Sequence, residues 1–120
     1  MPRTISGIPF QLPDVGLREV SGRLYLDEDF LVFDVEDALA GEFDKEVHVI
    51  KVDPAALDAI RLERGLVRDR LFIRPRKSDL LTAMPGKYGV ELPLKIWRKH
   101  RQTVLELIEE IARRGREEAA

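Results

Sequence analysis

The 120 residues carry 20 lysines and arginines against 22 aspartates and glutamates, a net charge of −2 that commits the chain as a whole to no polyanionic partner. Cysteine is absent, which removes disulfides, thiolate nucleophiles and cysteine metal sites together. The length suits one hydrophobic core without covalent staples, and no apolar run approaches the roughly 18 residues of a membrane span.

Residues 1–13 hold no apolar stretch of signal-peptide length, so a cytoplasmic location is expected. Asparagine is missing and arginine outnumbers lysine by 14 to 6. Thermophile proteins show such a balance, and a GC-rich genome produces it equally. The expected organisation is an extended arm over 1–16, one domain over 17–116 and a disordered tail over 117–120.

In the arm, Pro2, Pro9 and Pro13 with Gly7 and Gly16 argue against a long helix and against a central strand, and Ile8 and Phe10 would dock it. Alternation then predicts a strand over 20–26, with Val20, Gly22, Leu24 and Leu26 on one side and Ser21, Arg23 and Tyr25 on the other. Asp27, Glu28 and Asp29 break the pattern, and a second strand over 30–37 completes a hairpin. A connection over 38–46, turning at Gly41 with Phe43 beneath it, leads to a third strand over 47–52. Asp53-Pro54 ends that strand and starts a short helical turn.

The fourth strand, over 59–64, turns at Gly65 into a fifth over 70–74 that stops at Pro75. Ser78 caps a helical turn closed by Pro85-Gly86. The sixth strand, over 90–97, places Val90, Leu92, Leu94 and Ile96 on one face and Pro93 on the other, and a proline there marks an edge or the gap of an incomplete barrel. From Trp97 the apolar period changes to that of a helix reaching Arg114, with positions 97, 100, 104, 107, 108 and 111 on one face. Glu109 with Arg113 and Glu110 with Arg114 stand four apart, acid first, which is the favourable order.

Gly22 to Phe33, the paired strands over 59–64 and 70–74, and Leu94-Lys95-Ile96-Trp97 running into the helix together resemble a pleckstrin-homology-like (PH or GRAM-type) barrel, over about residues 18–114. Small uncharacterised bacterial proteins share that pattern. The resemblance implies a mainly β fold, a barrel of six to seven antiparallel strands capped by the C-terminal amphipathic helix, used as a scaffold for protein contacts. Phosphoinositide-binding members surround the loop between the first two strands with lysine and arginine. Here that loop is Asp27-Glu28-Asp29, which repels phosphate and weighs against a phosphoinositide ligand.

Charge is segregated along the chain. Residues 27–46 hold nine acids and one base, whereas 61–77 hold seven bases and two acids. One reading is that the two segments neutralise each other as neighbours in the sheet. The other is that a patch faces a partner, either a second copy head to tail or an acidic protein or nucleic acid. The candidate binding residues are Arg64, Arg68, Arg70, Arg74, Arg76 and Lys77, with Arg61 in the same hairpin and Tyr25 as an outward aromatic. Nucleic acid would also need exposed aromatics among the cations, and Phe72 is the one at hand. Trp97 is taken as core through the helix stripe; in strand phase it would instead point outward with Lys95 and Pro93.

His48 with Asp44 and Glu46 lacks a second nearby histidine, so no metal is expected, and no cofactor motif occurs. Carboxylate pairs such as Asp53 with Asp58, or Glu106 with Glu109, stand beside no nucleophile, and Ser78-Asp79 reads as a helix cap. The expectation is a non-enzymatic binding or assembly module mediating protein–protein contacts, to itself or to another protein. The alternative is a nucleic-acid-binding domain using the basic hairpin.

Overall fold

A computed structural model describes residues 3–12, 18–39, 46–77 and 90–119. Among the described residues seven strands precede one helix: β1 (Ile5–Gln11), β2 (Arg18–Leu26), β3 (Leu31–Leu39), β4 (Glu46–Val52), β5 (Leu57–Glu63), β6 (Arg68–Pro75), β7 (Leu92–Trp97) and α1 (Arg101–Ala119). All described pairings are antiparallel. The sheet order is β4-β3-β2-β1-β7-β6-β5, so β4 and β5 are edges and hydrogen bonds do not close the sheet into a barrel. The fold is mainly β with one C-terminal helix.

Two expectations need correction. The arm is extended, but it forms β1, the middle strand of the sheet, in spite of Pro9 and Gly7. Along β2 it pairs from Ile5 to Gln11, whereas toward β7 its pairing is Gln11 with Lys95. On that side β1 behaves over most of its length as an edge, the place where a sheet tolerates proline. An irregularity between Ile5 and Ile8 shifts the register by one residue. That shift lets Ile5 as well as Ile8 and Phe10 point into the core. The second correction concerns the tail: α1 continues to Ala119, through most of the stretch expected to be disordered.

The inward positions follow the alternation. Leu24, Leu26, Leu31, Phe33, Leu71, Ile73, Leu92, Leu94 and Ile96 are essentially without exposed surface. The helix adds Val104, Leu107 and Ile111 to the same cluster, burying the stripe that the 3.6-residue period marks. Gly22 marks a close approach of β2 and β3: a Cβ there would lie 1.9 Å from the Asp34 carbonyl oxygen and 3.1 Å from the Phe10 ring. Phe10 in turn meets Phe33 edge to face, with ring centroids 6.3 Å apart.

Between the two edge strands lies a 3-10 turn, Pro54–Ala56, capped by Asp53: Ala55 N–H donates to its Oδ1 at 2.9 Å and Ala56 N–H to its carbonyl at 2.8 Å. The helix is tied to β1 at its far end. Arg3 N–H donates to Glu110 Oε1 at 3.3 Å, and Arg114 Nη2 donates to the carbonyls of Arg3 at 2.9 Å and Asp27 at 2.8 Å. The connection around Gly41 and Phe43, the turn expected after Ser78, and Pro13 with Gly16 lie outside the described residues.

Candidate binding surface

The sheet has two faces, and α1 covers one. On the other, the outward side chains of six strands line a trough of about 620 Å³. Its floor is low because the residues there are small or lie flat: Pro9 and Gln11 from β1, Ser21 and Gly22 from β2. One wall is Asp34 and Glu36 of β3 with Val47 of β4. The opposite wall is Lys95 and Trp97 of β7 with Arg68 of β6. Three strand spacings separate β3 from β7 and four separate it from β6, so Lys95 and Trp97 stand about 14 Å and Arg68 about 19 Å from the acidic wall.

The cationic wall is ordered by stacking. Arg68 and Trp97 are cross-strand partners, and the guanidinium carbon lies 4.2 Å from the indole centroid. Arg68 Nη1 also donates to Gln11 Oε1 at 2.5 Å, which fixes the fork above the floor. Two outward positions further along β6, Arg61 lies over Phe72 at 4.1 Å, and Pro93 is the neighbour of Phe72 on the other side. Arg23, directly opposite Asp34 in the β2–β3 ladder, is the cation nearest the acidic wall.

The reading of Trp97 as core is therefore corrected. It ends β7 in strand phase, 43% exposed, and the helical period starts after it with a 3-10 turn, Arg98–His100. The neighbour reading of the charge segregation is corrected as well. Of the described acids, Asp27, Glu28 and Asp29 lie in the β2–β3 turn, Asp34, Glu36 and Asp37 in β3 and Glu46 in β4, whereas the arginines lie in and beside β5 and β6, on opposite halves of the sheet with β1 and β7 between them.

Of the expected binding residues, the trough collects Arg68 alone. Arg70 is outward and exposed on β6, beside Glu63 and Lys95. Arg64 is exposed where β5 turns toward β6, and Arg74 pairs with Asp58 at 3.8 Å. Arg76 and Lys77 follow β6, exposed, with the Arg76 amide donating to the Ala56 carbonyl at 2.9 Å. Tyr25 is outward and half-buried on β2, opposite Val32. Gln11, Ser21, Asp34, Glu36 and Lys95 were missed, because only knowledge of the strand order places them together.

The acids with displaced pKa values serve the fold. Asp69, wholly buried, receives Arg101 Nε at 2.8 Å and Nη2 at 2.7 Å, and the Gly65 amide at 2.9 Å. The Arg101 hydrogen bond first, then the Gly65 amide, holds its carboxyl below the usual range against the cost of burial. Glu110 is lowered chiefly by the two-pronged Arg113 contact. Asp27 is lowered by the amides of Phe30 and Asp29, which it caps across the β2–β3 turn. Asp37, Glu46 and His48 bring their potential metal-ligating atoms within 4.8 Å of one another on the inward rim of β3 and β4, where His48 Nε2 lies 3.6 Å from Glu46 Oε2. Asp44, weighed with Glu46 beside His48 in the sequence, lies outside the described residues.

Compared with protein-family models, with curated proteins and with solved structures, the chain matches none.

Proposed function

We propose that this protein is a binding module on a PH-like scaffold, one that makes and breaks no bonds and holds a polypeptide segment in the outer trough. The observation that carries the reading is the opposite sign of the two walls: Asp34 and Glu36 face Arg68 and Lys95 across a floor whose one charge is Arg23 beside Asp34, with Trp97 next to the cations of the far wall. A phosphate backbone would gain from one wall and be repelled by the other. A peptide carrying both signs gains from each. An extended segment rises about 3.3 Å per residue, so spanning the roughly 19 Å from Asp34 to Arg68 sets its cation and anion about six residues apart. An apolar or aromatic side chain near the anion would meet the Trp97 ring, the kind of residue that anchors interfaces.

The second reading, single-stranded nucleic acid, draws on a particular observation: two guanidinium–aromatic stacks, Arg68 on Trp97 and Arg61 on Phe72, on one sheet face. The acidic wall argues against it. The deciding experiment is selection from a peptide display library on the native chain, with binders to an Asp34→Lys, Lys95→Glu variant removed. The expected yield is peptides with an acid and a base about six residues apart. Binders with no such spacing, or none that distinguish the variant, would refute the reading.

A further inference from the structure

The turn between β5 and β6 ends in two apolar side chains where turn chemistry ordinarily places polar ones. Leu66 is 90% exposed and Val67 63% exposed. The tip is also firmly held. Arg98 N–H donates to the Val67 carbonyl and Arg98 Nη1 to the Leu66 carbonyl, both at 3.2 Å; Arg101 Nη2 donates to the Gly65 carbonyl at 3.2 Å, and buried Asp69 takes the Gly65 amide. A preorganised apolar knob results, ringed by the exposed cations Arg64, Arg98 and Lys99.

At the other end of β5, among the described residues, a groove of about 500 Å³ opens between that strand and the second half of α1. Leu57, Ile60, Ile108, Ile111, Ala112 and Gly115 line it, and nothing lies within 4 Å of where a Gly115 Cβ would be. Asp58 stands at its wall together with Arg76. Across Pro54 and Ala55 it adjoins a depression bordered by Glu28, Asp29, Asp53 and Glu117, with Arg114 set among them. The knob is apolar with a cationic ring; the groove is apolar, with Arg76 and the Arg74-paired Asp58 on its own wall and the acids gathered in the adjoining depression. They lie about 20 Å apart along a seven-residue strand, and so cannot meet within one molecule.

We propose that the Leu66–Val67 tip of one copy seats in the β5–α1 groove of the next, joining molecules head to tail. The occupant is a second copy because the apolar tip matches the apolar groove while the cations around the tip match the acids of the adjoining depression. Such a contact is heterologous: each molecule keeps a free tip and a free groove, and growth continues until a ring closes. It uses neither wall of the trough and goes beyond the peptide-binding reading.

The test is light scattering of the native chain over a concentration series, beside two variants. Leu66→Asp spoils the tip at a solvent-exposed site, and Gly115→Arg puts a long cation into the groove at a helical position with open space. The native mass should rise steadily with concentration, and each variant alone should stay monomeric with unchanged circular dichroism. Mixed one to one, the variants should form a dimer and stop, because one intact tip meets one intact groove. A native chain that remains monomeric up to roughly 1 mM, variants that still associate, or a mixture that yields no dimer would overturn the proposal.

Discussion

Asp69 shows how a charge is kept inside this molecule. Its side chain has no exposed surface, yet Arg101 and the Gly65 amide saturate its oxygens and so hold it ionised. The folded pKa lies below an unfolded value of about 3.9, so the stabilisation is complete above that value and is lost as pH falls through the folded pKa. Asp69→Asn should therefore cost about 3 kcal/mol in urea unfolding at pH 7. The gap between variant and native chain should narrow below about pH 4; a gap independent of pH would mean the charge is not what matters. Gly22 is limited by space instead. Gly22→Ala drives a Cβ toward the Asp34 carbonyl and should destabilise by about 2 kcal/mol, read as a lower urea midpoint.

At the scale of elements, the period of two and the period of 3.6 made most of the structure legible. Val20 to Leu26, Phe33 to Asp37 and Leu92 to Ile96 alternate as a half-buried sheet requires, and Val104, Leu107 and Ile111 mark the buried stripe of α1. β1 was hidden because Pro9 and Gly7 are strand breakers in isolation, and its near-edge pairing with β7 depends on a partner more than 80 residues away. Trp97 was misplaced for a related reason. Strand and helix patterns share that residue, and only the Arg68 pairing in β6 decides between them. The trough was the least legible feature, because its walls come from β3 and β4 on one side and β7 and β6 on the other, whose placement across β2 and β1 no local pattern encodes. Because β1 contributes Ile5, Ile8 and Phe10 to the middle of the core, deletion of residues 1–12 should abolish cooperative unfolding. A truncated chain that still melts in one sharp transition would contradict the central placement of β1. In α1, Leu107→Ala should cost about 3 kcal/mol through the cavity it leaves.

At the scale of the whole molecule, the small net charge conceals a division into an acidic half, β2 to β4, and a cationic half, β5 to β7, that meet over the trough. That division is what a two-signed polypeptide would read, and it sets the proposed peptide contact apart from binding to a uniform polyanion. The chain's single tryptophan stands on the cationic wall, so its emission reports on that wall alone. The most direct measurement is a Trp97 fluorescence titration with three probes: an extended peptide with lysine and glutamate about six residues apart, the same composition with the charges adjacent, and oligothymidylate. The account predicts a saturable change with the first peptide, lost in Asp34→Lys, and a much weaker response to the other two. Saturation by oligothymidylate with a steep salt dependence, and none by the spaced peptide, would contradict it and assign the surface to nucleic acid.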